Sequence, residues 1–488
     1  MEDQLAKGPQ ARLLASTTDQ ATHRDRPHED LARPADSFFK SAQWSADGTT
    51  IFTSSSDNVV NSYVVPSDLL QPREDGPIPL RAQGSILLPE STHAIAPCPY
   101  FSLSNPYTHV ILTGAVDHPI QLHQAFPPTS SDSPSPSPTP DPHHGPPSPA
   151  HRHPQHPQPP PIATYPLIHP PTESYLPALS LLWPSPGTHF LAGTKNLIAY
   201  FDATRSASGS GTAAPLLRLP TIPSTRHRAK GGGVGMRGAV SALAAHPDPG
   251  PAAGRLVAAG TWTRWLGLYD LARAGACVAN WCVAGAGAAA GRGVGGAGIL
   301  QVAWSPCGRY LVVNERKSSG MLVYDVRVTG KLLGWLAGRD ADTHQRMTCD
   351  VFPGSDDRGG FEVWAGGRDG TVMVWEGVGN EEGYARSAWD WQAHGSAVGS
   401  TAMHMSGSVM ATCSGSWKIS GEESQSDDSD DSDDSNGYSG NASSHGEDRD
   451  YRLKPGVEVQ DGSLKIWSIG AATSEEVDIE PNWPESGM

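Results

Sequence analysis

The chain has 488 residues and a mass of 51.6 kDa, with 53 Gly, 44 Pro and 14 Trp but only 18% charged residues. That composition disfavours long helices and favours many short strands joined by turns. The formal charge is −16, but residues 421–450 carry 11 acids against one Arg and leave about −6 for the rest, so a locally basic face is not excluded.

Residues 1–37 form an N-terminal segment without the apolar core of a signal peptide, and no apolar run approaches the ~18 residues that span a bilayer. A soluble, intracellular protein with no membrane association is therefore expected. Six cysteines without a CxxC pair are expected to be reduced and mostly buried. Within the N-terminal segment, "QARLLAST" (10–17) reads as a strand. From residue 38 onward, "AQWSADGTTIFTSS", "SLLWPSPGTHFLAG" and "LQVAWSPCGRYLVVN" each read as strand, Pro/Asp/Gly turn and strand, which is a hairpin. "DNVVNSY" (57–63), "DGTVMVW" (369–375) and "DGSLKIW" (461–467) each place an Asp six residues before an aromatic, with alternating apolar positions between. Fourth strands follow as "PIATYPLI", "APLLRLPTI", "ACVANWCV", "KLLGWLAG" and "ARSAWDWQAH".

The unit recurs seven times, starting near residues 38, 98, 175, 239, 298, 346 and 397. Its spacing exceeds the ~40–45 residues of a WD repeat because loops are inserted. The expected fold is all-β: a seven-bladed WD-repeat β-propeller over 38–470, with 10–17 closing the ring and 471–488 as a tail. His394, Thr412 or Ser414, Asp461 and Trp467 match the buried hydrogen-bonded network of such a blade, a structural role.

Two insertions interrupt the pattern. Residues 127–161 contain 15 Pro and five His; this density keeps the segment out of any sheet and suits either proline-reading partners or a merely tolerated loop. The histidines lack a metal-site pattern, and neither a metal nor another cofactor is expected. Residues 417–458 are acidic and Ser/Asp-rich and separate "SLKIW" from the rest of the seventh unit. There Ser426, Ser429 and Ser432 precede acids and are phosphosite candidates, with a solvated run lacking any partner as the alternative.

In each blade the strands run a to d from the centre outward, so the b–c and d–a loops share one face. That face gathers Lys195, Arg264, Arg316, Lys317 and Arg368 from b–c loops, and Arg226, Arg228, Lys230, Arg237, Arg292, Arg339 and Arg346 from d–a loops, with Trp262 and Trp265 flanking Arg264. Arg309, Arg327, Lys331 and Arg358 mark the other face, diluted by Asp356 and Asp357. Cations interleaved with aromatics suit single-stranded RNA, whose phosphates they pair and whose bases they stack on. Tryptophans packed between blades and an ordinary protein-binding face are the plainer alternative. The absence of clustered carboxylates, zinc spacing, a Ser/His/Asp set, a P-loop or a Rossmann pattern gives no reason to expect an enzyme.

"FFKSAQWSADGTTIFTSSSDNVVNSYVVP", "GTWTRWLGLYD", "LVVNERKSSGMLVYDVR" and "GRDADTHQR" resemble segments of the telomerase Cajal body WD-repeat protein family, which includes fungal members linked to small nuclear RNA and splicing. The resemblance implies a non-enzymatic, nuclear carrier that binds small Cajal body RNAs, with telomerase RNA a further candidate. It also implies ribonucleoprotein partners, a chaperonin during folding, and a monomer found in Cajal bodies or nucleoplasm and also in cytoplasm. "LVYDVR" (322–327) resembles instead the adaptor-docking motif of cullin-RING ubiquitin ligase substrate receptors, with Asp325 and Arg327 at the matching places.

Overall fold

Seven antiparallel sheets of four strands recur among the described residues, two of them extended by a short parallel strand, and all but the last are laid down from the inside outward. They are seen in a computed structural model that describes residues 9–17, 37–127, 159–205, 213–224, 235–247, 254–286, 295–354, 359–419 and 457–471. Blade 1 comprises Phe39–Trp44, Thr50–Ser55, Val59–Val64 and Gly84–Leu87. Blade 2 comprises Thr92–Pro97, Val110–Ala115, Ile120–Gln124 and Ala163–Tyr165. Blade 3 comprises Ser180–Leu182, His189–Thr194, Leu197–Asp202 and Leu217–Pro220. Blade 4 comprises Val240–Ala245, Leu256–Thr261, Trp265–Asp270 and Ala276–Cys282. Blade 5 comprises Ile299–Trp304, Tyr310–Glu315, Ser318–Asp325 and Leu332–Ala341. Blade 6 comprises Cys349–Pro353, Phe361–Gly366, Thr371–Val378 and Trp389–Gln392. Blade 7 comprises Val398–Met403, Val409–Ser414, Leu464–Ala471 and, from the far end of the chain, Pro9–Ser16. The fold is a seven-bladed WD-repeat β-propeller, as the repeat implies.

Pro9–Ser16 pairs antiparallel with Leu464–Ala471, so the ring is closed by the two ends of the chain. Thr17 seals the seam: its N–H donates to the Leu464 carbonyl at 2.9 Å and its Oγ1 accepts from Leu464 N–H at 2.9 Å. The outer edge of this closing strand is partly covered in turn by Ile78–Pro79, which pairs with Ala15 and Ser16 in parallel.

Small residues set how closely the blades pack. A Cβ on Gly193 of blade 3 would lie 2.6 Å from the Val240 carbonyl of blade 4, and one on Gly366 would lie 2.3 Å from Val398 Cβ of blade 7. Tryptophans then tie the blades together. Trp44, Trp304 and Trp375 donate their indole N–H across to the carbonyls of Ala402, Ala244 and Ala337, at 2.9, 3.2 and 3.3 Å. Each such bond adds roughly 1 kcal/mol to the burial of the ring itself.

Blade 7 carries the polar network. Thr412 Oγ1 accepts from Trp467 Nε1 at 2.9 Å and meets His394 Nε2 at 2.7 Å. His394 Nδ1 lies 3.5 Å from Asp461 and 3.2 Å from Ser463 Oγ, while Gly395 N–H donates to Asp461 at 2.6 Å. Burial pulls the Asp461 carboxyl upward, but hydrogen bonds from His394, Ser463 and Gly395 prevail and hold it well below the usual range.

Several sequence expectations need correction. Blade 2 begins at Thr92, not near 98: its first strand is Thr92–Pro97, and Cys98 N–H makes a last bond to the Val110 carbonyl at 3.1 Å before Pro99, which has no N–H to offer. "ARSAWDWQAH" is divided: Gly383–Arg386 runs parallel along the outer strand of blade 5, and only Trp389–Gln392 completes blade 6. The acidic insertion has a narrower root than 417–458, since Ser416–Ile419 pairs with Val457–Gln460. Cys277, Cys282 and Cys307 are exposed; the first two sit on the outermost strand of blade 4, which faces solvent. Residues 128–158 and 420–456, including Ser426, Ser429 and Ser432, lie outside the described residues, as does the tail after 471.

Candidate nucleic-acid interface

The b–c turns must reverse the chain within a few residues, and this requires a left-handed backbone conformation. Asn58, Asp117 and Asn196 occupy that position in blades 1 to 3 at φ of 65, 56 and 58°, and Gly370 does so in blade 6 at 90°. In blades 4 and 5 the position is taken by Arg264 at 64° and Lys317 at 50°, long cations with no intrinsic preference for it.

Backbone hydrogen bonds clip these turns to the neighbouring d–a loops. Asn196 N–H donates to Gly238, Trp262 N–H to Ala239, Arg316 N–H to Gly298 and Lys317 N–H to Thr343, at 2.9, 3.1, 2.9 and 3.3 Å. The result is one continuous strip across blades 3, 4 and 5. Lys195, Arg237 and Lys317 are exposed along it, and none forms an ion pair among the described residues. Between them Trp262 is 45% exposed, and the Arg316 guanidinium carbon lies 4.6 Å from its ring centroid. Arg316 Nε is buried without a hydrogen-bond partner among the described residues, and burial lowers the pKa of the group.

Other residues expected here have different duties. Arg339 is in strand d of blade 5, not in a loop, and is only 1% exposed. It donates to the Gly366 carbonyl, Asn314 Oδ1 and the Met347 carbonyl at 2.8, 2.9 and 3.1 Å, and burial brings its pKa down to about 10. A cation so enclosed braces blades 5 and 6 and cannot reach a ligand on the face. Trp265 is half-buried against the cluster of Leu191, Ile198 and Tyr269, so it offers no stacking surface. Arg264 is engaged with Glu315 at 2.6 Å, and Arg368 pairs with Asp340 at 3.3 Å in the open. Arg346 turns inward from its loop to the carbonyls of His93 and Leu300. Arg226, Arg228, Lys230 and Arg292 lie outside the described residues, as do Arg358, Asp356 and Asp357 of the opposite face.

On that opposite face Arg309 and Arg327 both pair with Asp325, and Lys331 pairs with Glu382. Arg81, Arg255 and Arg273 are exposed there without ion pairs, so pairing alone does not separate the faces. Convergence on an aromatic does. Sequence reasoning missed Lys40 and His93, which stand at the second residue of the innermost strands of blades 1 and 2. Superimposing the seven units on their first strands would have shown two basic residues in the same place.

Among the described residues, no helix is long and apolar enough to cross a membrane, and no group of three or more His, Cys, Asp or Glu could hold a metal ion. Fold and network together define the class, a WD-repeat propeller scaffold. No family model matches the sequence. The chain is 22% identical over 340 residues to guanine nucleotide-binding protein negative regulator 1 of Schizosaccharomyces pombe, covering 69% of this chain and 70% of that protein. It is 23% identical over 388 residues to human telomerase Cajal body protein 1, covering 78% of this chain and 57% of the relative. For the mouse protein of the same name the values are 22% over 348 residues, 70% and 52%. The match thus spans little more than half the length of these animal relatives. The similarity supports the resemblance to the telomerase Cajal body WD-repeat family read from the sequence.

Proposed function

We propose that this chain is a non-enzymatic scaffold that binds small nuclear or Cajal body RNA through its b–c/d–a face and assists ribonucleoprotein assembly in the nucleus. Telomerase RNA is one candidate ligand, on the strength of the relatives' name. The observation that carries the reading is the Arg316–Trp262 stack, flanked by exposed Lys195, Arg237 and Lys317 on one strip. A ring already paired with a guanidinium presents a flat, cationic platform to an unstacked base, and the flanking charges suit its phosphates.

Cross-linking followed by RNA sequencing identifies the ligand. Reversing Lys195, Arg237 and Lys317 to Glu is expected to abolish recovery of small RNAs and to flatten the salt dependence of binding. Reversing the exposed, unpaired Arg81, Arg255 and Arg273 is the matched control. Equal losses from both sets, or co-purification of a cullin and its adaptor without RNA, would overturn the proposal.

A further inference from the structure

In five blades the ladder between the two innermost strands skips one residue at its start: Lys40, His93, Ser241, Leu300 and Gly399 in blades 1, 2, 4, 5 and 7. These bulges form a tier around the mouth of the central channel, at the end where the b–c turns emerge. A bulged residue loses its place in the ladder, so its backbone carbonyl is free for another donor.

Arg346 uses two of these carbonyls. Its Nη1 donates to His93 at 3.0 Å and its Nη2 to Leu300 at 3.3 Å, so the side chain reaches from blade 6 to blades 2 and 5 across the mouth. Lys40 Nζ donates to the Thr92 carbonyl at 3.1 Å. Arg316 leaves its buried Nε unused beside Trp262. Every acceptor in this set is neutral. Among the described residues Asp57 is the one carboxylate felt electrostatically by Lys40, and it is itself bonded to Ser55. Lys40, Arg316 and Arg346 form no ion pair among the described residues.

The groups repel one another as a cluster must. Burial, then Lys40, Arg346 and Arg316, lower the pKa of His93, and burial followed by Arg316 brings Arg346 down to about 10. Cations crowded together without counter-charge are costly, and groups that perturb one another's titration in this way cluster at functional sites.

We infer that Lys40, His93, Arg316 and Arg346 form a seat for a phosphate group at the mouth of the channel, with Trp262 stacking the base attached to that phosphate. The source of the phosphate as a backbone phosphodiester rests on the RNA reading above; the anion seat itself does not.

Two probes separate these claims: inorganic phosphate, read by thermal melting against chloride of equal ionic strength, and a labelled 12-nucleotide single-stranded RNA. In the intact chain phosphate is expected to raise Tm by linkage and to move the His93 imidazole titration, followed by NMR, upward. Lys40→Gln removes one charge-assisted bond and is expected to abolish both effects and weaken RNA about tenfold. Arg346→Gln should do the same; if it fails to fold, Lys40→Gln and His93→Gln decide. RNA binding that is equal in all variants, with no phosphate effect on Tm, overturns the seat and leaves the RNA reading standing. A Lys40-dependent phosphate shift in a chain that binds no RNA overturns the RNA source and keeps an anion seat.

Discussion

Arg264 of blade 4 grips Glu315 of blade 5 in a two-pronged ion pair, Nε to Oε1 at 2.6 Å and Nη2 to Oε2 at 3.0 Å. Glu315 is 2% exposed and also accepts Gly296 N–H at 3.1 Å. Removing the arginine strands a buried carboxylate. Arg264→Gln is expected to lower stability by about 3–5 kcal/mol in chemical denaturation. The stranded carboxylate also leaves one extra negative charge beside the strip, so RNA affinity of the folded fraction should fall only modestly and the loss should shrink as salt rises. A large affinity loss with unchanged stability would mean that Arg264 contacts RNA directly.

Lys317 should trade stability for binding. Its φ of 50° is unfavourable for a lysine, and Asn is the residue that blades 1 and 3 use at this position. Lys317→Asn is expected to stabilise the fold by up to about 1 kcal/mol and to weaken RNA several-fold. Calorimetric melting and an RNA titration on the same samples test both signs. A less stable variant would refute the backbone argument, and one that binds equally well removes Lys317 from the interface.

The fold was legible because its cues are local. Asp461 and Trp467 bracket a strand whatever separates them from Thr412, and loop closure grows only logarithmically with length, so the long acidic segment did not hide blade 7. The interface was legible only as a set of loops. Arg339 reads as a loop cation, yet the strand that begins at Leu332 runs on through it to Ala341, and its donors find carbonyls that only the assembled ring brings near. Lys40 and His93 were hidden for the converse reason: they lie in strands, and a bulge turns them to the channel.

Asp350 supplies a pH signature. It is enclosed between blades 6 and 7, where it accepts N–H groups of Val351 and Met403 at 2.8 and 2.6 Å. Burial nevertheless pushes its carboxyl up to about 6. A folded pKa above the unfolded value means that this contribution is fully present below about pH 4 and is lost as pH rises through about 6, on the order of 3 kcal/mol in all. The stability of the intact chain relative to Asp350→Asn should therefore fall between pH 4 and 7 and level off beyond. Comparing the two variants cancels His93, His394 and Asp461, whose lowered values act in the opposite sense. A flat difference from pH 4 to 7 would show that Asp350 is ionised throughout.

If the face binds RNA as proposed, the acidic insertion is expected to compete for it. Its root, Ser416–Ile419 paired with Val457–Gln460, is the b–c connection of blade 7, on the face that bears the basic strip. Trp417 anchors that root edge-on against Phe38, ring centroids 5.3 Å apart. Residues 421–450 carry a net charge of −10, and phosphorylation of Ser426, Ser429 or Ser432 would add roughly −1.5 to −2 each. Two variants test the competition. One replaces residues 420–456 by a short Asn-Gly turn on the retained root; the other converts Asp427, Asp428, Asp430, Asp431, Asp433 and Asp434 to Asn. Both should bind the 12-nucleotide RNA more tightly than the intact chain at low salt, with melting temperatures unchanged because the root is kept. The gap should close as salt rises, since charges separated by more than ~8 Å are largely screened at physiological ionic strength. Equal affinities at low salt would show that the acidic segment does not act on the face from which it springs.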